Sequence, residues 1–280
     1  MHKEEGCDTR KQPGEKHPKT LLNKGTGFLA DYTHSLNPYT GCAFGCAYCY
    51  VRQMPVSLFR TDEWGTWVDI KRDAASLLQK ELSRAKAKGK VTIFMSSSTD
   101  PYQPVEYREQ VTRSLLAVMV QEPPDFLFVQ TRSPLVARDV DLLLQLGDGV
   151  RVSMTVETDR DDIRKQFSPQ APPIAARLRA LARLKEAGVP TQATIAPLLP
   201  STEAFPELLA PLVNRVCVDD YFMGDGSGGK RTRSLGIYKQ YEALGLEEWY
   251  HPQACRLVLE RLSRVFSAEQ LFVSQKGFAP

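Results

Sequence analysis

Three cysteines, Cys42, Cys46 and Cys49, fall within the run Cys42-Ala43-Phe44-Gly45-Cys46-Ala47-Tyr48-Cys49. The Cys-x3-Cys-x2-Cys spacing is poor geometry for disulfides and good geometry for thiolates wrapped around one metal centre, with Gly45 inside the tight loop. The ligand count then narrows the chemistry. Structural zinc sites and ferredoxin-type clusters are closed by four ligands, and no fourth cysteine lies near; His34 and His251 lack the short spacing of a zinc ligand. A four-iron cluster held by three cysteines keeps one iron open to an outside ligand, as a catalytic centre requires. Cys7, Cys217 and Cys255 are scattered singly and read as free thiols, Cys217 as a buried one. A second cysteine-bound cluster is not expected. A non-catalytic zinc or electron-transfer protein is the alternative that the residues leave open.

Positioning such a centre falls to the elements around it. From Val91 onward, short apolar runs alternate with longer stretches of helical period, the pattern of βα units around a parallel sheet. Strands are predicted over 91–95, 126–129, 150–156, 191–196 and 215–218. Helices are predicted over 70–88, 105–120, 174–187 and 204–212, and from a Ser133-Pro134 cap to Leu146, with Gly89, Gly147 and Gly188 as stops. With one strand ahead of Cys42, six units result. The fold class is therefore α/β, an open, partial (β/α)6 barrel of the TIM type with its mouth at the strand C-termini. Residues 1–27, polar and rich in Lys, Gly and Pro, read as a basic flexible arm, 28–235 as the barrel, and 236–280 as a helical extension packed on it.

A chain of 280 residues with 42% hydrophobic content can bury one full core. Its 36 basic and 33 acidic side chains nearly balance, so a polyanionic partner is permitted without being demanded. No run of about 18 apolar residues exists, and the N-terminus is polar, so no membrane span is expected and a reducing, cytoplasmic location is.

The cysteine run, with aromatic Tyr48 immediately before the third cysteine, resembles the motif of the radical S-adenosylmethionine superfamily. The flanking Asn37-Pro38-Tyr39-Thr40-Gly41, together with Tyr50, is similar to the spore photoproduct lyase-like subgroup. So is Ser98-Thr99-Asp100-Pro101-Tyr102-Gln103-Pro104 after the second strand. The resemblance covers roughly residues 30 to 235. It implies a 4Fe-4S cluster on Cys42, Cys46 and Cys49 whose open iron chelates S-adenosylmethionine. It also implies a reductant such as flavodoxin or ferredoxin, and reductive cleavage to a 5′-deoxyadenosyl radical that abstracts a substrate hydrogen. Around the cofactor it places Tyr48, Ser98, Thr99 and Asp100, with Arg132 on the carboxylate, Ser153 on the ribose or carboxylate, and Ala196 on the adenine side. The substrate it implies is a nucleobase or DNA photolesion, repaired by a lyase reaction at a carbon–carbon bond; a radical enzyme on a non-nucleic-acid substrate is the alternative. The chain departs from the subgroup where a hydrogen-donating cysteine is expected just before the Thr-Asp pair, since that stretch reads Ser96-Ser97-Ser98. A serine O–H bond is too strong for that task, and Cys217 is the candidate replacement.

Overall fold

The computed structural model describes residues 12–224 and 227–280. Its strands are β1 (Gly14–Lys16), β2 (Asn23–Lys24), β3 (His34–Leu36), β4 (Tyr39–Gly41), β5 (Val68–Lys71), β6 (Thr92–Met95), β7 (Phe126–Thr131), β8 (Val150–Thr155), β9 (Thr191–Ile195), β10 (Val216–Val218) and β11 (Leu271–Val273). Eight of them form one sheet in the order β11-β10-β9-β8-β7-β6-β3-β2. Every pair in it is parallel except β2 with β3. Helices follow the strands, among them Ala74–Lys86, Val111–Gln121 and Ile174–Glu186. Because the order does not close on itself, the architecture is the expected open, partial barrel.

The strands sit between two apolar layers, which is why their sequences run nearly without polar interruption. Outward-facing Ile93, Met95, Leu127, Val129, Val152, Met154 and Ala193 pack with the helices in the main core. Inward-facing Phe94, Phe128 and Cys217 pack with Tyr32 and Phe278 in a smaller inner core.

Five of the six expected parallel strands are β6 to β10, and β3 is the one ahead of Cys42. Several expectations change. Ile70 does not begin a helix: residues 68–71 form β5, the centre of a second, three-stranded sheet β1-β5-β4. Asp73, at φ 56, then turns the chain into the helix at Ala74. Ladder pairing on both sides of Ile70 outweighs the helical spacing of its apolar neighbours. Residues 12–27 are not a loose arm either, since β1 pairs with β5 and Leu21 is fully buried. The Leu21 and Leu22 amides donate to the Glu81 carboxylate at 2.9 and 2.8 Å. Residues 1–11 of that expected arm lie outside the described residues. The C-terminal segment, expected to be helical, contributes β11 as a further parallel strand beside β10.

The helix predicted over 105–120 is broken at Gln110, φ 50. Buried Glu106 causes the break, because its carboxylate accepts from the Thr112 and Arg113 amides and so caps the second helix. Ser133 does cap its segment, accepting from the Leu135 amide at 3.3 Å, although the first turns there are 3-10 rather than α.

Candidate active site

β4 ends at Gly41, so the small sheet delivers Cys42 directly to the barrel mouth. Gly41 has φ +83, and a Cβ there would lie 2.6 Å from the Trp67 ring; only glycine fits. The cysteine loop is then fixed from three directions. From within, Arg52 donates through Nε to the Cys46 carbonyl at 2.9 Å and through its terminal nitrogen to the Gly45 carbonyl at 2.7 Å. From one side, the Ala47 amide donates to the Phe167 carbonyl at 2.8 Å. From the other, the segment after β6 reaches across: Thr99 Oγ1 donates to the Gly41 carbonyl, Gln103 Oε1 accepts from the Ala43 amide, and Tyr50 donates to the Ser97 carbonyl. Thr99 and Gln103 therefore bind the cysteine loop to the barrel rim.

Cys42, Cys46 and Cys49 line one cavity of about 640 Å³. Tyr48, Ser98, Thr99, Asp100, Arg132 and Ala196 line it too, so the structure brings together nine of the eleven residues singled out from sequence. Asp100 is fully engaged: its carboxylate accepts from the Tyr102 and Arg132 amides at 2.9 and 2.8 Å and from the Thr131 hydroxyl at 2.7 Å. Burial raises its pKa and those hydrogen bonds oppose the rise. It thus holds the Arg132 backbone in place. The Arg132 side chain donates to Tyr48 Oη at 2.9 Å and pairs with Glu157. Glu157 also accepts from Tyr48 at 2.7 Å and pairs with fully buried Arg177.

Ser153 and Cys217 do not reach the cavity. Both are fully buried and covered by neighbouring side chains. Ser153 is fully buried against Thr194 and Gln192, and Thr155, two residues on, is the β8 residue that lines the cavity. Cys217 is fully buried beside Phe278, with its Sγ so close to Gly277 that a Cβ there would sit 2.2 Å from it. Burial raises its thiol pKa well above the usual range. Replacing Cys217 by alanine is accordingly expected to leave the rate of any radical turnover within about twofold of wild type and to lower stability by about 1 kcal/mol. A tenfold loss of product without loss of fold would restore Cys217 as a hydrogen donor.

Sequence reading missed Arg52 and Gln103 as holders of the loop, and it left Glu157 without a role. Gln103 stood inside the quoted motif, and Arg52 lies three residues past the last cysteine. Nothing local marks Arg177 as the partner of Glu157.

The donor set suits a multi-iron cluster. Burial pushes the Cys42 thiol up and the Cys49 thiol up to about 11, so as thiolates they need a cationic partner. Among the described residues, no three His, Cys, Asp or Glu side chains form a group that could hold a metal ion. A single zinc would need every sulfur about 2.3 Å from one point. The cavity beside the thiols has the volume of a small-molecule site.

The family model of the radical SAM superfamily matches residues 36–210, and the chain belongs to that superfamily. It is 33% identical over 165 residues to an uncharacterised protein of Methanocaldococcus jannaschii, covering 59% of this chain and 60% of that one. To an uncharacterised protein of Acidianus two-tailed virus it is 31% identical over 185 residues, covering 64% and 60%. The match therefore spans less than two thirds of the length of these relatives. Among solved structures, a spore photoproduct lyase mutant superposes with a TM-score of 0.65 at 14% identity, covering 94% of this chain and 81% of that one. The lyase complexed with dinucleoside spore photoproduct gives 0.61 at 15%, with the same coverage. SuiB of Streptococcus suis bound to the precursor peptide SuiA gives 0.52 at 13%, covering 76% and 46%. At these identities the likeness is one of fold. No helix among the described residues is long and apolar enough to cross a membrane.

Proposed function

We propose that Cys42, Cys46 and Cys49 hold a 4Fe-4S cluster with one open iron, that S-adenosylmethionine binds it in the adjoining cavity, and that the substrate is a nucleobase within a nucleic acid. When bound and reduced by a donor such as flavodoxin or ferredoxin, this pair of cofactors supplies a 5′-deoxyadenosyl radical that takes a hydrogen atom from the substrate. The observation that carries the reading is one cavity wall. It holds three thiols, that of Cys46 buried and those of Cys42 and Cys49 half-buried, on a loop clamped by Arg52, beside Ser98, Arg132 and Ala196 at the C-terminal ends of three strands.

The chain's own groups have separable tasks. Arg132, held by Tyr48, Glu157 and the Asp100-bound backbone, presents a fixed positive charge for a carboxylate. The Ser98 side chain lines the cavity and offers a hydroxyl, while Ala196 and Pro197 supply apolar surface for a ring. Lys24, also on the cavity wall, supports a phosphate-bearing substrate. The fold shared with spore photoproduct lyase supports a lyase reaction on a damaged base, in the manner of DNA repair.

The test is anaerobic reconstitution with iron and sulfide, reduction, addition of S-adenosylmethionine, and chromatography for 5′-deoxyadenosine. Wild type is expected to form it, and Cys46→Ala to fall below about one hundredth of that yield. A protein that binds four irons and forms none, even with dimer-containing DNA present, would be a redox protein instead. Binding to DNA that is insensitive to salt would remove the nucleic-acid part alone.

A further inference from the structure

The side chains that face into the barrel form tiers set by strand register. Met95 pairs with Val129, so Ser96 and Gln130, the next residues along, are cross-strand neighbours one tier above Phe94 and Phe128. Both line the cavity. Ser96 is 5% exposed, and its Oγ is buried with no hydrogen-bond partner; Gln130 Oε1 is likewise buried and unpartnered. Buried polar atoms are almost always paired, and leaving one without a partner is unfavourable.

The neighbouring inward-facing groups carry no such orphans. Alongside, Ser153, the register partner of Gln130, is satisfied by Thr194 and Gln192. Above, Arg132 is paired with Glu157 and Tyr48. The unpaired atoms are also held in place. Gln130 Nε2 donates to Thr155 Oγ1 at 2.6 Å, which fixes the carboxamide. Ser96 has φ +78, a left-handed conformation costly for serine, and its amide donates to the Leu36 carbonyl at 2.8 Å.

A ligand that satisfies both atoms has a definite chemistry. Gln130 Oε1 only accepts, so the ligand must bring a donor there, and a carboxylate or phosphate would be repelled. The Ser96 hydroxyl can donate to a carbonyl beside that donor. Phe28, Phe94 and Phe278 bound the same space, which favours a flat ring. An N–H next to a C=O on a flat ring is an imide edge.

We propose that Ser96 and Gln130 read the imide edge of a pyrimidine ring, Gln130 Oε1 accepting its N–H and Ser96 donating to the adjacent carbonyl. This deepens the nucleobase reading above and rests on it for the ring, while the pair of orphaned atoms stands without the cluster.

Saturation-transfer NMR on the full chain tests it with three probes: uridine, N3-methyluridine and N-acetylglycinamide. Uridine is expected to bind, and N3-methylation to weaken binding about tenfold or more, because the site's acceptor then faces a methyl group. Gln130→Met should weaken uridine by a similar factor and Ser96→Ala by about threefold, with melting temperatures recorded for each. The methylated probe leaves the protein untouched, so the test survives a variant that does not fold. No uridine binding, equal binding of the methylated probe, or equal and Gln130-dependent binding of the acyclic amide overturns the proposal. Release of 5′-deoxyadenosine by wild type is measured separately: uridine binding without it leaves the imide site and removes the radical reading, and the reverse removes only the imide site.

Discussion

Replacing Arg52 with leucine is expected to speed the loss of iron from the reconstituted protein to a chelator by about 30-fold or more. The guanidinium donates to two successive carbonyl groups of the cysteine loop, those of Gly45 and Cys46. Hydrogen bonds to a charged group contribute about 1.5–3 kcal/mol each. Losing even about 2 kcal/mol from the closed loop corresponds to roughly 30-fold. The loop has little room to compensate. Gly45 sits at φ +54 with a would-be Cβ 2.9 Å from the Gly65 Cα, so the backbone is already packed against its neighbour. Lysine should not rescue, since one ammonium cannot reproduce the planar fork that meets both carbonyls. Iron release followed by the bleaching of cluster absorbance decides the matter. Wild-type rates in Arg52→Leu would mean that Thr99 and Gln103, clamping from the opposite side, suffice to hold the loop.

The parts of this site that were legible in the sequence are those whose chemistry forces residues to be adjacent. Three cysteines must share one short loop to hold one centre, and the strand-end motif around Asp100 must be contiguous to turn back across it. Alternation along a strand was legible as well, but alternation tells which side a residue faces and not how high it stands. Ser153 and Thr155 share a face of β8 and differ by two residues, about 6.6 Å along the strand. That step separates a packed interior from a cavity wall. Cys217 fails for a different reason: its cover is Gly277 and Phe278, some sixty residues later, and no local pattern announces them. The short edge strands β1 and β11 carry three residues each, too few to show any period. Ile70 was misplaced because its spacing to Ala74 and Leu77 fits a helix equally well, and only the pairing of β5 with both neighbours settles it.

Substituting Glu157 by leucine is expected to lower the free energy of unfolding by about 3–5 kcal/mol, a large fraction of the stability of a single domain. The carboxylate is 1% exposed and lies between Arg177, itself fully buried, and Arg132. Removing it strands the Arg177 guanidinium in the interior, where one nitrogen is already unpartnered, and takes the carboxylate from Arg132 at the cavity wall. Its titration gives the sign of the pH dependence. Burial alone would raise the Glu157 pKa, but Arg177, Arg132 and the Tyr48 hydroxyl together hold it down to about 2. A carboxylate depressed from its ordinary value near 4.3 contributes about 3 kcal/mol of stability, present above about pH 4.3 and lost as pH falls toward 2. Asp100 acts in the opposite sense: its pKa is raised by burial, so its ionisation weakens the fold as pH rises through the carboxylate range. Urea midpoints measured between pH 2 and 6 separate the two. Wild type should lose more stability on acidification than Glu157→Gln, which keeps the shape of the side chain and cannot carry its charge. Parallel profiles would mean that the two arginines find other partners. The same substitution frees Arg132 from the group that fixes it, so cofactor affinity should fall along with stability in Glu157→Gln, while Asp100, still bonded to the Arg132 amide, keeps that backbone at the rim.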